Sequence, residues 1–480
     1  MSSVSPPVSP VRPRPFPDLA IDAANGALAL FVAVSAACAV FAVLAFPAYK
    51  GQPAAWSAVA AGLLLALPLA TAAGRRVLGA AWHRFTAADG FLPAMLLLAA
   101  LVRVPGVVFP PMPYGDHFVY HDTAKLFASG GGLGGLVFWP PGQPAWLGIV
   151  ATVVGDGVRA LAAVQSLVGV ATVALLYRAW AGEREAVARC AATVAALMPS
   201  IVSWNATLGH ETTTLFLMAV LLVLLRQIDA RQGRAALPWV VAFGLVGGLA
   251  SLVRPTMIVL PLLFGLRQWI VGHGTAAALR GALVTLLAGA CVIAPYTARN
   301  HALYGEFCLV SANFGVVLHS ANSPGSDGIY HEQEDPPGLN PVQRDRAYGR
   351  LARAHIVEEP GVFAARTVKR IAYMWGTDTS GLNFVLGDPE RVVGAPKAAL
   401  QFIHQVPWIL LVVAWGAAAV RCVERRGVPA DAVLPLLLIA VPWAAHALVE
   451  PLGRHHIPYV PLIAAACAMI LTERGRLRVA

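Results

Sequence analysis

Twelve apolar stretches, each close to the length of a membrane-spanning helix, occupy most of this 480-residue chain. A helix needs roughly 20 predominantly apolar residues to cross the hydrocarbon core of a bilayer. With 58% hydrophobic and only 12% charged residues, the chain lacks the polar surface that a soluble domain of this size needs. The sequence therefore predicts an all-α polytopic membrane protein. The predicted spans are 27–48, 55–73, 90–109, 159–178, 187–204, 209–226, 237–253, 256–271, 279–297, 402–421, 432–449 and 456–472.

The net charge of +10 is better explained by membrane topology than by an anionic partner such as nucleic acid, which would require one concentrated basic face. The arginines that follow the predicted spans fall in five clusters. Placing all five in the cytoplasm satisfies the positive-inside rule with both termini inside. Residues 142–155 are apolar but too few to cross, and counting them as a span would move the later clusters outside. They are therefore predicted to form a juxtamembrane helix in an external loop.

This topology divides the chain into five segments and leaves two long regions outside the membrane. Long loops in a compact protein are usually lids or binding elements. The second external loop is predicted to contain short amphipathic helices at 343–358 and 361–373, since Pro360 is suited to a helix start. The segments are a disordered N-terminus (1–26), a transmembrane hairpin with a cytoplasmic loop (27–89), a transmembrane core with a first external loop at 110–158 (90–297), a large external loop (298–401) and the last spans with a basic tail (402–480).

Polar residues gather at the outer ends of the predicted spans, so they can converge on one outward-facing cavity. Ionisable side chains are costly in a membrane and are therefore candidates for function. The alternative for Arg103 and Arg254 is snorkelling, in which a long side chain reaches the interface. The set comprises Arg103, Asp116, Asp122, His210, Glu211, Arg254, Arg299, Asn300, His446, Glu450, Arg454, His455 and His456.

Asp116 lies in the first external loop, ahead of the rigid turn Trp139-Pro140-Pro141-Gly142. Its carboxylate could accept a proton from an acceptor hydroxyl during displacement at a sugar carbon. The structural alternative is helix N-capping or solvation of the loop. His117 and His121 are four residues apart and could bind a divalent metal ion if this stretch is helical. The sequence favours the alternative of two ordinary loop histidines near the membrane surface, since no third ligand is identified.

His446, Glu450 and Arg454 recur at i, i+4 and i+8, and would line one helical face if the helix persists that far. Arg454 and the adjacent His455 could hold a phosphate through charge-assisted hydrogen bonds. The alternative is an internal Glu–Arg pair that only connects helix ends. The pattern leaves both interpretations open.

Asp116, Tyr120 and Ala124, followed by Pro141-Gly142 and Pro144, resemble the first external loop of bacterial family 39 glycosyltransferases. These are GT-C enzymes related to protein O-mannosyltransferases and to the aminoarabinose transferase that acts on lipid A. The resemblance runs in order over about residues 90–472. The further matching segments are Gly209-His210-Glu211, Leu252-Val253-Arg254-Pro255, the stretch from Ala294 to Asn300, and Arg454-His455-His456-Ile457-Pro458.

The resemblance implies a GT-C fold with about 12 transmembrane helices and juxtamembrane helices in two external loops. It implies inverting transfer of a sugar from a polyprenyl-phosphate carrier to a glycan, lipid or protein at the outer face of the bacterial cytoplasmic membrane. Asp116 would be the general base and Glu211 would orient the acceptor or the base. No cofactor is fixed, and a divalent metal ion stays an open alternative. The implied donor-phosphate ligands are Arg254, Arg299, Arg454 and His455, with Tyr120, Asp122, Asn300 and Glu450 in support.

Two other classes of protein compete with this interpretation. A transporter or lipid flippase for an anionic or polyprenyl-linked substrate would place polar residues near the bilayer midplane, in broken helices. Here the polar residues lie at the outer edge of the predicted spans. A non-catalytic membrane scaffold would not require so many converging ionisable residues. The sequence therefore favours the glycosyltransferase.

Overall fold

The computed structural model describes residues 16–50, 53–87, 89–333, 336–386, 395–450 and 452–473, and no β-strand occurs among them. α-Helices account for most of these residues, and short turns join them. The helices are α1 (Phe16–Lys50), α2 (Pro53–Ala70), α3 (Ala72–Ala87), α4 (Phe91–Val108), α5 (Asp116–Leu126), α6 (Gly142–Val154), α7 (Val158–Trp180), α8 (Glu185–Leu197), α9 (Pro199–Asn205), α10 (Glu211–Asp229), α11 (Leu237–Val253), α12 (Leu260–Ile270), α13 (Thr275–Tyr304), α14 (Phe314–Asn322), α15 (Pro341–Glu358), α16 (Pro360–Gly376), α17 (Ser380–Leu386), α18 (Ala395–Arg425), α19 (Val433–Leu448) and α20 (Val460–Thr472).

Within the described ranges, eight helices are long and apolar enough to cross a membrane, and the bent pair α8 and α9 would add a ninth if it forms one span. Each of the twelve predicted stretches overlaps at least one helix. The prediction of an all-α polytopic protein is therefore confirmed, but the count of twelve spans is not. The eight helices are α1, α4, α7, α10, α11, α13, α18 and α19; shorter apolar helices lie at Trp56–Pro68, Gly142–Val154, Pro255–Ile270 and Ile457–Thr472.

The predicted helices of the loops are present. α15 and α16 cover the two amphipathic segments, and Asn340 caps α15 by accepting hydrogen bonds from the backbone N–H groups of Val342 and Gln343, both at 3.0 Å. The short apolar segment after Pro141 forms α6. At the N-terminus, α1 already begins at Phe16, ahead of the predicted boundary at residue 26. Residues 1–15 and the basic tail at 474–480 lie outside the described residues.

α20 is buried on all sides by the rest of the protein. Every residue from Val460 to Ile470 is buried, and none of them is charged. A helix that is apolar on all sides is stable only where other helices surround it. Burial of α20 therefore fixes where the preceding turn lies, and that turn carries Arg454, His455 and His456.

Arg103 has a structural role rather than snorkelling to the interface. It is buried at 2% exposure, and its guanidinium donates to the backbone carbonyls of Ala195 at 2.9 Å and Ala196 at 3.0 Å. It also donates to the side chain of Asn205 at 2.6 Å. The two carbonyls lie in the last turn of α8, where the chain bends by 57° into α9 before Pro199. Arg103 thus supplies donors to acceptors that the break in the helix leaves without intrahelical partners.

We expect Arg103→Met to destabilise the protein because these buried acceptors lose their donors, at a cost on the order of 1–3 kcal/mol for each hydrogen bond left unmade. The measurement is the apparent Tm of the purified protein in detergent. Arg280→Met is the matched control, since Arg280 is exposed and, within the described ranges, its side chain donates only to the carbonyl of Ala276 in its own helix. Equal Tm values for the two variants would contradict the role given to Arg103.

Candidate active site

The helix connections at one end of the bundle meet around Asp116, and we call this end the site end. It comprises the connections that follow α4, α9, α11, α13 and α19. Asp116 is the first residue of α5, and Gly115 before it has a φ of 56°, which favours glycine. The Asp116 side chain makes no capping hydrogen bond to α5, because Gly115 occupies the N-cap position. N-capping by Asp116 is therefore excluded.

Both carboxylate oxygens of Asp116 are hydrogen-bonded. Oδ1 accepts from the indole Nε1 of Trp139 at 3.0 Å, and Oδ2 accepts from Nη2 of Arg454 at 2.6 Å. Burial alone would raise the pKa of the Asp116 carboxyl, but the charge of Arg454 and the two hydrogen bonds outweigh burial and lower this pKa to about 2. The side chain keeps 30% exposure. It is thus an ionised carboxylate that a substrate can reach.

Arg454 lies between two carboxylates. Besides its contact with Asp116, its Nε atom lies 3.9 Å from Oε1 of Glu211. Burial would lower the pKa of Arg454, but the two carboxylates raise it above its usual value. The predicted stripe of His446, Glu450 and Arg454 on one helical face is wrong, because α19 ends at Leu448 and the chain continues as turns. Arg454 therefore reaches the site from a turn and not from a helix face.

Glu211 is the first residue of α10 and is only 2% exposed. Neither of its oxygens has a hydrogen-bond partner among the described residues. Gly209 allows this arrangement, since a Cβ atom there would lie 2.5 Å from Oε2 of Glu211 and 2.8 Å from Nε2 of His117. A buried carboxylate that accepts no hydrogen bond is costly even with a counter-ion 3.9 Å away. Glu211 is thus available to a substrate group that enters the site.

Two glutamine side chains hold the turn before Glu211 through hydrogen bonds to its backbone. Gln143 donates to the carbonyl of Leu208 at 3.0 Å, and Gln165 donates to the carbonyl of Gly209 at 3.2 Å. Gln165 in turn accepts from the indole of Trp146 at 3.1 Å. The Pro/Gly turn recognised in the sequence thus leads into a helix, α6, that supports the second acidic residue of the site.

His117 and His121 point to different surroundings. Burial lowers the pKa of His117 to about 4, so the imidazole is neutral at neutral pH. His121 hydrogen-bonds through Nε2 to the carbonyl of Asp156 at 2.7 Å. Among the residues that the structure describes, no group of three His, Cys, Asp or Glu side chains could hold a metal ion. Among the described residues these two histidines therefore lack the further ligands of a metal site, and the requirement for a divalent metal ion stays an untested prediction.

Arg254 and His455 form a second cluster with His446. Arg254 donates through Nη2 to Nε2 of His446 at 2.9 Å, so this histidine nitrogen must be an acceptor. His446 stacks on His455 with ring centroids 3.6 Å apart. Burial, together with the neighbouring His446 and Arg254, lowers the pKa of His455 well below its usual value. Arg254 is 4% exposed, and its Nη1 has no hydrogen-bond partner in the described part of the chain.

Of the predicted supporting residues, Tyr120 and Glu450 lie at the site, whereas Asp122 does not. Tyr120 is buried beside His210, with ring centroids 6.5 Å apart. Glu450 lies near Arg454 and Asp116, and burial raises its pKa to about 7. Asp122, by contrast, is exposed on α5.

Arg299 and Asn300 are placed differently from the sequence expectation. The guanidinium of Arg299 donates to the backbone carbonyls of Leu136, at 3.0 Å, and Gly134. Asn300 is fully buried and donates to the carbonyl of Cys308 at 3.1 Å. Arg299 therefore holds the loop at residues 134–136, and Asn300 holds the loop at Cys308. No described contact joins either side chain to Arg454. The phosphate-binding role of Arg299 stays a prediction.

Two aromatic residues of the site are not among the sequence candidates. Trp139 donates a hydrogen bond to Asp116. Its position in the Pro/Gly turn that follows Asp116 is the sequence feature that could have identified it. Phe384, in α17, has its ring centroid 4.5 Å from that of His117 and lies 5.8 Å from the Arg454 guanidinium carbon. It also stacks on Tyr114 at 4.9 Å. Nothing in the local sequence of α17 marks Phe384, since its role comes from the folding of the large loop over the site.

Comparison with known proteins supports the resemblance seen in the sequence. Residues 139–298, about a third of the chain, match the model of the family described as dolichyl-phosphate-mannose-protein mannosyltransferase. The resemblance to GT-C enzymes related to protein O-mannosyltransferases is thereby confirmed over this part. No curated protein sequence matches the chain.

Two solved structures are similar in part. The oligosaccharyltransferase AglB from Archaeoglobus fulgidus, in complex with an inhibitory peptide and a dolichol-phosphate, aligns at 13% identity and a TM-score of 0.47, over 80% of this chain and 50% of its own. The present chain thus spans about half the length of that enzyme. ArnT from Cupriavidus metallidurans, bound to undecaprenyl phosphate, aligns at 16% identity and a TM-score of 0.38, over 80% of this chain and 78% of its own.

The low pKa of Asp116 predicts how stability depends on pH. A carboxyl whose pKa falls from about 3.9 in the unfolded chain to about 2 in the folded protein stabilises the fold above pH 4. That contribution is lost as the pH falls towards 2. We expect the Tm difference between the wild type and Asp116→Asn to shrink as the pH is lowered from about 5 towards 2. A difference that does not change over this range would contradict the ion pair.

Proposed function

We propose that the protein is a membrane glycosyltransferase that transfers a sugar, with inversion, from a polyprenyl-phosphate donor to an acceptor hydroxyl. The observation that carries the proposal is the pairing of Asp116, an ionised and accessible carboxylate, with Arg454 at the site end. A base for the acceptor and a cation for a leaving phosphate thus lie side by side. The match of residues 139–298 to a family of dolichyl-phosphate-mannose-dependent transferases supports the same reaction class and donor.

The reaction is a single displacement at the anomeric carbon. The acceptor oxygen forms a bond to that carbon while the bond from the carbon to the donor phosphate oxygen breaks, and the acceptor proton passes to Asp116. The released polyprenyl phosphate carries the additional negative charge. Arg454 stabilises this charge together with Arg254, whose Nη1 has no partner among the described residues. Fixed cations of this kind lower the energy of the transition state because they need no rearrangement as the charge develops.

Without a bound donor, Asp116 is a weak base, and donor binding makes it a stronger one. A carboxyl with a pKa of about 2 accepts protons poorly at neutral pH. When a donor phosphate binds Arg454, it competes for the charge that stabilises ionised Asp116 and adds a negative charge nearby. Both effects raise the pKa of Asp116. Arg454 can bind the phosphate because a guanidinium has five N–H donors, and its Nε has no hydrogen-bond partner in the described residues.

The remaining side chains bind or orient the reactants. Glu211, buried and without hydrogen-bond partners among the described residues, can accept a hydrogen bond from the acceptor or the sugar. His455, neutral because of its lowered pKa, can donate one hydrogen bond to a phosphate oxygen through Nε2, since its Nδ1 accepts from the backbone N–H of Leu452. Tyr120 and Glu450 complete the wall around Asp116. In this proposal Arg299 holds the loop in place of the untested phosphate contact, because its guanidinium donates to the carbonyls of Gly134 and Leu136.

Water would compete with the acceptor, so the site must be covered. Phe384 of the large loop lies over His117 and Arg454, and Tyr114 stacks against it. These rings exclude water from one side of the ion pair and strengthen its electrostatics. The loop that contains α14 to α17 thus serves as the cover of the site.

The proposed location follows from the donor and from charge. The lipid tail stays in the membrane while the phosphate reaches the site end, which the positive-inside rule puts at the outer face of the bacterial cytoplasmic membrane, with both termini inside. The acceptor is a glycan, lipid or protein hydroxyl on that face. Membrane lipids surround the spans, and nucleic acid has no part in the reaction.

We expect Asp116→Asn to lower kcat by about 10²–10⁴-fold, because the acceptor proton loses its base. The assay follows the release of radiolabelled sugar from a panel of polyprenyl-phosphate sugars by the purified protein. Asp431→Asn is the matched control, since this carboxylate also pairs with an arginine, Arg184, at 2.5 Å, but at the opposite end of the bundle. Turnover by Asp116→Asn close to that of the wild type would overturn the base assignment.

One observation favours the alternative of a transporter or flippase, namely the 57° break between α8 and α9. The ionised group at this break is Arg103, and its three guanidinium nitrogens all donate to protein acceptors. It therefore offers little to a charged cargo. If labelled donor crossed the membrane of proteoliposomes with its sugar still attached, and no sugar were released, the transport function would be preferred.

A further inference from the structure

The site end contains a clamp that no substrate contact explains. α13 extends to Tyr304, and three of its side chains, Tyr296, Arg299 and Tyr304, donate hydrogen bonds to one loop that precedes Trp139. The hydroxyl of Tyr296 donates to the carbonyl of Leu136 at 2.7 Å, and that of Tyr304 donates to the carbonyl of Gly135 at 2.5 Å. Arg299 donates to the carbonyls of Leu136 and Gly134. Three consecutive carbonyls are thus held from one helix.

The segment that is held is rich in glycine, so ordering it has a high cost in conformational entropy. Residues 130–135 read Gly-Gly-Gly-Leu-Gly-Gly, and Gly130, Gly132 and Gly134 have positive φ angles. Glycine loses more conformational entropy on ordering than any other residue, and fixing one backbone residue costs roughly 1–2 kcal/mol. A second anchor follows at once, where the backbone N–H of Ala312 donates to the carbonyl of Val137 at 2.8 Å. The clamp therefore offsets the entropy that this loop loses.

Three residues lie between the clamped Gly135 and Trp139, whose indole donates to Asp116. Phe138 packs edge-to-face on Trp139 with ring centroids 4.8 Å apart, and the guanidinium of Arg344 lies over Phe138. The position of the indole is thus set by the loop and not by α5 itself. Contacts on α13 reach the carboxylate through a short and continuous stretch of chain.

We propose that Tyr296, Arg299 and Tyr304 are positioning residues of the transfer reaction, which orient Asp116 through the clamped loop and Trp139. The proposal rests on the proposed function, in which a donor phosphate competes for Arg454. Once Arg454 turns to the phosphate, the indole of Trp139 is the contact that still orients the carboxylate. The clamp is therefore most important in the donor-bound state, where the acceptor proton is transferred.

The test compares Tyr304→Phe, Trp139→Phe and the double variant. Trp139→Phe is expected to lower kcat by about tenfold or more, while the KM for the donor stays within about twofold, because Asp116 loses an orienting contact and no donor contact is removed. Tyr304→Phe is expected to lower kcat less. The double variant should be no slower than Trp139→Phe alone, since both act through one indole. A merely structural role of Tyr304 would add its effect to that of Trp139→Phe.

The control is Tyr177→Phe, which removes a tyrosine hydrogen bond of 2.7 Å to Glu185 at the opposite end of the bundle. It should leave kcat unchanged. Additive losses, or a raised donor KM with normal kcat in Tyr304→Phe, would overturn the clamp and leave the proposed function intact. Full turnover by Asp116→Asn would overturn the base assignment instead.

A second measurement does not depend on turnover. Hydrogen–deuterium exchange of residues 130–139 in the intact protein should be faster in Arg299→Gln and Tyr304→Phe than in the wild type and Tyr177→Phe. Unchanged exchange in this segment would mean that α13 does not hold the loop, and it would overturn the proposal whatever the enzyme assay gives.

Discussion

One positive charge, that of Arg454, is shared by two carboxylates of the site end, and the surrounding chain is arranged to keep it there. The guanidinium lies 2.6 Å from Asp116 and 3.9 Å from Glu211. A partly buried cation between two acidic side chains is stable only if its backbone cannot move away. The buried helix α20 provides this, because the turn that carries Arg454 is anchored by eleven consecutive buried residues, 460–470. The membrane core thereby determines the geometry of the site.

Asp116 is held by two contacts that differ in kind. The ion pair with Arg454 is exchangeable, because a phosphate can compete for the same guanidinium. The hydrogen bond from Trp139 is neutral and is fixed by the loop that α13 clamps. Loss of the first contact raises the basicity of Asp116, and persistence of the second keeps its orientation. In this account the donor both supplies the sugar and prepares the base, so a base without a donor stays weak and does not activate water.

The sequence predicts the helices well because their signal is local. Long apolar runs can satisfy their backbone in lipid only as helices, and charged residues at the ends of those runs marked Asp116, Glu211, Arg254 and Arg454 as candidates. The remaining features depend on contacts between distant segments. The turn of Arg299 towards residues 134–136, the cover by Phe384 and the support of the helix break by Arg103 all join parts of the chain that no spacing relates. The helical face predicted for residues 446, 450 and 454 is also wrong because of a contact between distant segments. α19 ends at Leu448, and Arg454 instead donates a hydrogen bond to Asp116.

The most direct test of the shared Arg454 is the affinity of the purified protein for a polyprenyl phosphate that carries no sugar. If Asp116 and the phosphate compete for one guanidinium, the two must be coupled reciprocally. Asp116→Asn is then predicted to bind the lipid phosphate about tenfold more tightly than the wild type, and this gain should vanish when Arg454→Met is also present. An unchanged or weaker affinity of Asp116→Asn, or a gain that survives in the Arg454→Met background, would contradict the account.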